Sequence, residues 1–286
     1  MKKTVKLNNG IEMPTVGYGV FQIPQEQTKQ VVTEALNDGY RLIDTAAGYL
    51  NEEAVGAAIN DSGINRDEIF LTTKLWVQDF GEEKAAKAID GALKRLDQDY
   101  IDLLLLHQPF GDTYGAWRAM EKSVKTGKIR SIGVSNFQSF QVQDLMMHNE
   151  IKPVVNQIEI NPLNPENENV QWLKDNNIVP EAWGPMGQAQ AGIFTNPILE
   201  KIAQDHQKTT GQIMLAWNIQ RGVVVIPKSV HANRIKENFD VFDVELTDEE
   251  MKQIAQLDQH HSYFSGLLTP DTVKTLGNLK FDYQNY

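Results

Sequence analysis

Cysteine is absent from this chain of 286 residues. Its absence excludes disulfide bonds, a thiolate nucleophile and thiolate metal ligands, and it is typical of proteins from a reducing compartment. The chain also lacks an apolar run of membrane-spanning length, and its first segment, MKKTVKLNNG, lacks the apolar stretch of a signal peptide. These absences predict a cytoplasmic protein without a membrane partner.

Positive charge is scarce as well, since 27 basic residues face 38 acidic ones and the net charge is -11. This charge argues against a nucleic-acid partner, although a local cationic pocket can still bind a phosphate. Metal-ligand patterns are also missing: His260 and His261 are adjacent and would point in different directions, and no HExxH pattern accompanies them. We therefore expect neither nucleic acid nor a metal ion to bind.

The sequence does contain a repeated alternation of strand-like and helix-like segments. Residues 4–18 predict a short hairpin, turned at Asn9 and Gly10, that leads into a first strand near residue 16. Further strands are predicted to end at residue 44 and to cover 69–74, 100–107, 129–135, 154–159, 178–183 and 223–226. Helices are predicted at 25–37, 51–61, 82–96, 115–126, 166–176, 197–220 and 231–239.

Eight strands that alternate with helices predict the α/β class and, most simply, a (β/α)8 TIM barrel with an N-terminal β-hairpin and a C-terminal tail. Such barrels commonly run to about 250 residues as one unit. No shift in composition marks a boundary, so residues 1–286 are expected to form a single domain. A doubly wound sheet is the alternative, which is disfavoured because Gly17 and Gly19 lack the third glycine of its dinucleotide-binding motif.

Polar and aromatic residues stand at the ends of the predicted strands, where barrel enzymes carry their active sites. They are Asp44, Lys74, His107, Ser135, Asn136, Gln157, Glu159, Trp183 and Lys228. Alternation along the fourth strand puts His107 on the same side as Leu103 and Leu105. One such residue is more often structural, but several at one mouth favour a functional site, to which Tyr49 adds a phenol.

Six segments of the chain resemble consecutive signatures of the aldo-keto reductase family. In order and at the family's spacing they are DTAAGYLNEEAVG, LTTKLW, IDLLLLHQP, GKIRSIGVSNF, NQIEINP and IPKSVHANRIKENFDVF, and the resemblance runs from residue 5 to residue 257. It implies an eight-fold barrel that binds NADPH at the carboxyl ends of its strands and reduces aldehydes and ketones. It also implies a catalytic tetrad of Asp44, Tyr49, Lys74 and His107.

The chemistry of carbonyl reduction explains these four residue types. A nicotinamide delivers hydride to the carbonyl carbon and the oxygen must receive a proton, for which Tyr49 is the predicted donor. A free phenol has a pKa of about 10, and the Lys74 ammonium would lower it towards the working range. Asp44 would hold Lys74 and keep it charged, while a neutral His107 would hydrogen-bond the carbonyl oxygen and orient it.

The resemblance further implies contacts to the nicotinamide half of the cofactor. Ser135, Asn136 and Gln157 match the residues that hydrogen-bond the nicotinamide carboxamide, and Trp183 takes the position of the stacking aromatic ring. Gly184 stands where most relatives carry a serine whose hydroxyl faces the pyrophosphate, so this chain lacks that hydroxyl.

The adenosine half is matched after the eighth strand. Lys228, Ser229 and Arg234 correspond to the residues that clasp the 2'-phosphate, and Asn238 corresponds to an adenine contact. A lysine followed shortly by an arginine is alternatively a solvated helix start. Their place after the last strand, where barrels often bind phosphate, favours the functional interpretation and NADPH over NADH.

A substrate pocket is predicted from aromatic residues that follow strands at the same face. Phe21, Trp76 and Phe110, together with His107, resemble the family's pocket lining, although core packing is the competing interpretation of Phe21. The loop at residues 108–114 is short. A shallow pocket suits small carbonyl compounds, such as short aldehydes and 1,2-dicarbonyls including methylglyoxal.

The C-terminal tail from residue 260 to residue 286 is compact and carries Tyr263, Phe264 and Tyr286. Two placements are compatible with these aromatic residues, either over the mouth of the barrel or along its surface. A monomer is expected from the resemblance.

Two other classes of function remain open. A barrel of this kind can bind NADPH as a redox-sensing subunit with little turnover, against which the complete tetrad argues. A Schiff-base enzyme built on Lys74 is the second, but a lysine paired with Asp44 would stay protonated and be a poor nucleophile. Glu181 shares the alternation of Trp183 in a buried strand, and the sequence names no partner for its carboxylate.

Overall fold

The computed structural model describes residues 1–260, 262 and 269–283. The chain begins with an antiparallel hairpin of β1 (Thr4–Lys6) and β2 (Glu12–Pro14). Gly10 lies in its turn with a φ of 91°, a backbone conformation that glycine adopts without steric cost. The predicted hairpin and its turn are confirmed.

Eight parallel strands follow and form one sheet in sequence order. They are β3 (Gly17–Gly19), β4 (Leu42–Asp44), β5 (Phe70–Leu75), β6 (Ile101–Leu106), β7 (Ile129–Ser135), β8 (Val155–Glu159), β9 (Val179–Trp183) and β10 (Val224–Val225). A parallel bridge between Val16 and Val225 joins the last strand to the first, and the amide of Gly19 donates to the carbonyl of Pro227 at 3.1 Å. The predicted (β/α)8 barrel is confirmed, and the sequential strand order rules out a doubly wound sheet.

Helices surround this barrel. They are α1 (Gln25–Asn37), α2 (Glu52–Asp61), α3 (Glu82–Leu96), α4 (Thr113–Lys125), α5 (Ser139–Met147), α6 (Asn167–Asp175), α7 (Pro197–His206), α8 (Thr210–Gln220), α9 (Ala232–Phe239), α10 (Asp248–Ala255) and α11 (Pro270–Asn278). Apolar residues at helical spacing explain their packing: in α3, Ala85, Ile89, Ala92 and Leu96 form one buried face. None of the helices in the described ranges is long and apolar enough to cross a membrane.

The prediction of one helix over residues 197–220 was wrong. Gln207 has a φ of 54° and ends α7, and Thr209 and Gln212 form a capping box that starts α8. Helix α5 was not predicted, and it begins with a capping box formed by Gln138 and Gln141. Helices α10 and α11 were also missed.

Strand alternation divides the core into two layers. In β6, Leu103 and Leu105 pack inside the barrel, whereas Leu104 and Leu106 pack outward against the helices. Residue 107 therefore continues the row that faces the barrel interior, as the sequence predicts. Side chains of this inward-facing row that lie at the carboxyl end of a strand therefore reach the mouth of the barrel.

The N-terminal hairpin closes the opposite end of the barrel. The side-chain amide of Asn8 donates to the carbonyl of Pro153 at 2.9 Å, and that of Asn9 donates to Oγ of Ser131 at 3.0 Å. Both acceptors lie near the amino ends of their strands. The carboxyl ends are left for the functional residues.

Candidate active site

The centre of the candidate site is a buried ion pair between the ends of β4 and β5. Nζ of Lys74 lies 2.6 Å from Oδ1 of Asp44 and 2.9 Å from the carbonyl oxygen of Thr45. Only 1% of Lys74 and 2% of Asp44 is exposed. Burial alone lowers the pKa of Lys74, but the nearby Asp44 and Tyr49 outweigh it and raise that pKa above its usual value. The lysine is therefore an ammonium, which disfavours Schiff-base chemistry.

Tyr49 lies beside this pair. It ends a short 3₁₀ turn, Ala47–Tyr49, that follows β4, and Leu50 leaves the turn in a left-handed conformation with a φ of 57°. The Tyr49 hydroxyl lies 3.4 Å from Nζ of Lys74, which donates to it. Burial raises the pKa of Tyr49 and the Lys74 ammonium opposes this rise. The side chain is thus a phenol near neutral pH, with a cation in place to stabilise the phenolate that proton loss would create.

His107 follows β6 and lies within reach of the same phenol. Its ring is edge-on to that of Tyr49, with centroids 5.6 Å apart, and to that of Trp76, at 5.1 Å. Burial, and then the charge of Lys74, hold the pKa of His107 well below its usual range. Its buried Nδ1 has no hydrogen-bond partner among the residues that the structure describes. The ring is a neutral imidazole that can bond a ligand.

Aromatic side chains line the approach to Tyr49 and His107. The ring of Phe21 lies 4.9 Å from that of Tyr49 and is 48% exposed, so core packing does not account for it. Trp76 is buried against His107. Phe110 is half-buried and lies near α11, since a Cβ on Gly277 would come within 4.0 Å of its ring. The structure thus brings the three predicted pocket residues to one end of the barrel.

The C-terminal tail adds a residue that the sequence reasoning missed. Phe281 packs edge-on against Trp76, with centroids 5.2 Å apart, and its ring would come within 2.9 Å of a Cβ on Gly48. Gln78 holds this residue by two hydrogen bonds, to the carbonyl at 3.0 Å and from the amide at 2.8 Å. The indole N–H of Trp76 donates to the carbonyl of Leu279 at 3.0 Å.

The tail therefore contributes to the site through residues 279–283. The signal available for Phe281 was an aromatic residue between two charged ones, Lys280 and Asp282. The aromatic residues that the sequence reasoning proposed for this role, Tyr263, Phe264 and Tyr286, lie outside the described residues.

A cluster of amide and hydroxyl groups adjoins His107. Oγ of Ser135 donates to the carbonyl of Gln157 at 2.9 Å, and Nδ2 of Asn136 donates to the carbonyl of His107 at 3.0 Å and to Oγ of Ser135 at 3.2 Å. The indole N–H of Trp183 donates to Oδ1 of Asn136 at 2.9 Å. Asn136 has a φ of 65°, a conformation that asparagine tolerates. Four of the predicted cofactor residues are thus linked by one chain of hydrogen bonds.

Gln157 connects this cluster to the ion pair. Its Nε2 donates to Oδ2 of Asp44 and to Oε2 of Glu181, each at 2.9 Å. This supplies the partner for Glu181 that the sequence left unnamed. Glu181 is fully buried, and burial, followed by the charge of Asp44, raises its pKa to about 8.

The predicted phosphate-binding residues follow β10. Lys228 and Arg234 are exposed, and neither forms a salt bridge within the described part of the chain. Ser229 accepts a hydrogen bond from the amide of His231 at 3.1 Å just before α9 begins, and Asn238 is buried on that helix. Lys228 and Arg234, without ion-pair partners in the described ranges and near the start of α9, are suited to bind an anion.

Gly184 follows Trp183 with a φ of 58°, a left-handed conformation. As a glycine, it has no side-chain hydroxyl at this position. Within the described ranges, no group of three or more histidine and acidic side chains is arranged to hold a metal ion.

The barrel is closed, and a buried lysine, carboxylate and phenol lie at the carboxyl ends of its strands. Barrel enzymes carry their active sites at this face, so the fold and the site together indicate a barrel enzyme. The sequence profile of the aldo/keto reductase family matches residues 13–259. The chain belongs to this family and is accordingly an oxidoreductase.

Named relatives cover nearly the whole chain. The chain is 46% identical over 261 residues to glyoxal reductase of Bacillus subtilis (strain 168), a match that covers 91% of this chain and 94% of that protein. It is 43% identical over 258 residues to methylglyoxal reductase DkgA of Escherichia coli (strain K12), covering 89% and 93% of the two chains.

Solved structures share the fold. An aldo-keto reductase enzyme from a Medee basin deep-sea metagenome library, MGS-M4, superposes with a TM-score of 0.91 at 42% identity and covers 97% of this chain and 100% of its own. A Bombyx mori aldo-keto reductase in complex with NADP superposes with a TM-score of 0.88 at 35% identity, covering 95% and 96%.

Proposed function

We propose that this protein catalyses the NADPH-dependent reduction of small aldehydes and ketones to alcohols, with 1,2-dicarbonyls such as methylglyoxal among its substrates and Tyr49 as proton donor. The observation that carries this proposal is the Tyr49 hydroxyl, 3.4 Å from the buried Lys74 ammonium. Two similar proteins named glyoxal reductase and methylglyoxal reductase support the substrate class.

In the proposed reaction, NADPH supplies the hydride when bound. Tyr49 donates its proton to the carbonyl oxygen, and Lys74 stabilises the phenolate that this leaves. Asp44 keeps Lys74 charged and in place through the 2.6 Å contact. His107, held neutral by burial, hydrogen-bonds the carbonyl oxygen and orients it.

The polar cluster fits the nicotinamide end of the cofactor. Ser135, Asn136 and Gln157 are proposed to hydrogen-bond the carboxamide, and Trp183 to stack on the ring. Since Trp183 is bonded to Asn136, the stacking surface and one carboxamide partner are held together. Gly184 is proposed to approach the pyrophosphate through its backbone.

The exposed cations fit the other end of the cofactor. Lys228, Ser229 and Arg234 are proposed to bind the 2'-phosphate, and Asn238 the adenine. The 2'-phosphate distinguishes NADPH from NADH, so two cations without ion-pair partners among the described residues support a preference for NADPH.

For the substrate we propose a small pocket lined by aromatic rings, in which His107 is the polar residue. Its lining is Phe21, Trp76, Phe110 and His107. The aromatic rings favour small carbonyls because a bulky group would have to displace the buried ring of Trp76. The proposal also takes residues 1–286 as a single domain and the protein as a cytoplasmic monomer that binds no nucleic acid. Light scattering after size-exclusion chromatography checks the monomer.

The experiment follows oxidation of NADPH, and separately of NADH, with a panel from methylglyoxal to bulky aryl ketones. We expect fast NADPH-dependent turnover of the small carbonyls that falls by about 10²- to 10⁴-fold in Tyr49→Phe, the usual contribution of a positioned proton donor. Tyr100→Phe is the matched control, because Tyr100 lies beside Arg66 at the amino end of β6. Near-normal turnover in Tyr49→Phe would remove Tyr49 from its role. Tight NADPH binding without turnover on any carbonyl would instead favour a redox sensor.

A further inference from the structure

Glu181 is a fully buried carboxyl group that the proposed reaction does not use. It lies in β9 and pairs in register with Gln157 on β8 and Val224 on β10. Oε2 accepts a hydrogen bond from Gln157, while buried Oε1 has no partner among the described residues. A buried carboxyl with an unused oxygen is costly, so its presence at the active end of the barrel points to a role.

The contacts with Asp44 and Glu181 together determine which way the amide of Gln157 faces. Nε2 of Gln157 carries two protons, and they go to Oδ2 of Asp44 and Oε2 of Glu181. If the amide were flipped, its carbonyl oxygen would face the Asp44 carboxylate, which is repulsive, and Glu181 would lose its amide donor. The amide therefore keeps its NH₂ towards the two carboxyl groups, and its carbonyl oxygen is the acceptor that remains for a ligand.

Few charges surround Glu181 in the described structure. Asp44 on β4 and Lys74 on β5 act on it directly across the barrel interior, and Tyr49 lies within range of its field. The neighbouring strands offer the uncharged Gln157 and Val224. Because Asp44 and Lys74 balance each other, ionisation of Glu181 changes the net charge of this buried cluster from zero to minus one.

We propose that Glu181 is a positioning residue that holds Gln157 in the amide orientation required by the cofactor's carboxamide and links its own charge to the oxidation state of the bound cofactor. This inference rests on the proposed function, in which Gln157 binds the carboxamide. The nicotinamide ring is cationic in NADP⁺ and neutral in NADPH. An ionised Glu181 beside Gln157 therefore stabilises the oxidised form relative to the reduced one.

This linkage has a direction that can be measured. Cofactor binding and ionisation of Glu181 are thermodynamically linked. Bound NADP⁺ should therefore favour the ionised carboxyl by the same free energy by which the ionised carboxyl favours NADP⁺ binding. The ratio Kd(NADP⁺)/Kd(NADPH) should thus fall as the pH rises through the titration of Glu181, whose pKa burial raises to about 8. The 2'-phosphate titrates in both forms of the cofactor and cancels from the ratio.

The experiment measures both dissociation constants by quenching of tryptophan fluorescence between pH 6.5 and 9.5, in the wild type, Glu181→Gln and Glu121→Gln. We expect the ratio to fall about fivefold or more in the wild type, the lower end of ordinary coupling between sites, and to stay level in Glu181→Gln. Glu121→Gln should behave as the wild type, because Glu121 is buried on α4 and bonds the amide of Ile151 outside the site. A purely structural role for Glu181 would shift both constants together and leave the wild-type ratio level.

A wild-type ratio that does not change with pH, while both cofactors bind, would overturn this inference and leave the proposed function standing. The same holds if the ratio falls equally in Glu181→Gln. The wild-type measurement decides the matter even if the variant does not fold. Failure of the wild type to bind either cofactor would overturn the proposed function, and this inference with it.

Discussion

Replacing Lys74 by methionine tests the buried ion pair at the centre of the site. Methionine matches the unbranched shape of lysine but has no charge. Among the described residues, the buried Asp44 side chain would then keep only its hydrogen bond from Gln157. The side chains of Lys74 and Asp44 are 0% and 3% exposed. The remaining carboxylate would therefore lack both a cation and solvent.

The size of the effect follows from this burial. Removing one member of a buried pair costs ~3–5 kcal/mol, because the other charge is left uncompensated. Since 1 kcal/mol shifts the Tm of larger domains by about 2–4 °C, we expect Lys74→Met to melt roughly 6–20 °C lower.

Two further variants make the test specific. Asp44→Asn combined with Lys74→Met removes both charges and retains an acceptor for Gln157, so it should recover a large part of the lost stability. Lys125→Met removes a lysine whose ion pair with Glu150 is exposed at the surface, and it should melt close to the wild type. Urea denaturation and thermal melting at pH 8 provide the measurements. A Lys74→Met protein as stable as the wild type at pH 8, or a double variant no more stable than the single one, would refute the reasoning.

Three other outcomes are expected. Gly56→Ala should lower stability by at least ~1–3 kcal/mol in urea, since the new Cβ would come within 2.0 Å of the carbonyl of Leu96; an unchanged midpoint would contradict that contact. Lys228→Glu combined with Arg234→Glu should weaken NADPH binding at least about tenfold in fluorescence titrations and leave NADH binding nearly unchanged. Equal effects on both cofactors would show that these two residues do not bind the 2'-phosphate. Since burial raises the pKa of Glu181 from 4.5 to about 8, the wild type should lose stability relative to Glu181→Gln as the pH rises between these values, and a constant difference in denaturation midpoint would count against that shift.

The barrel could be predicted from local pattern, and the meeting of polar residues at one end of it follows from that fold. Alternation along β6 predicted that residue 107 faces inward, and the structure puts Leu103 and Leu105 inside the barrel. Because parallel strands end at one edge, residues far apart in sequence, such as Asp44 and Lys74, were expected to meet. Their 2.6 Å contact follows from topology as much as from the residues themselves.

What could not be predicted depends on contacts across the fold. Nothing local indicates that Gln78 bonds the backbone of Phe281 at the other end of the chain, or that Gln157 rather than another polar residue meets Glu181. The break between α7 and α8 is different, because the capping box that starts at Thr209 is visible in the sequence. The polar run that spans the break, residues 204–210, contains no glycine or proline to mark it.

Closure of the barrel has a consequence for the order of assembly. The first parallel strand hydrogen-bonds to the last, through Val16 with Val225 and Gly19 with Pro227. During synthesis, the chain contains Asp44, Tyr49 and Lys74 long before β10 has been made and the barrel can close. Since long-range strand pairing is slow, catalytic competence should arise late, in a single step that also delivers the cationic segment after β10.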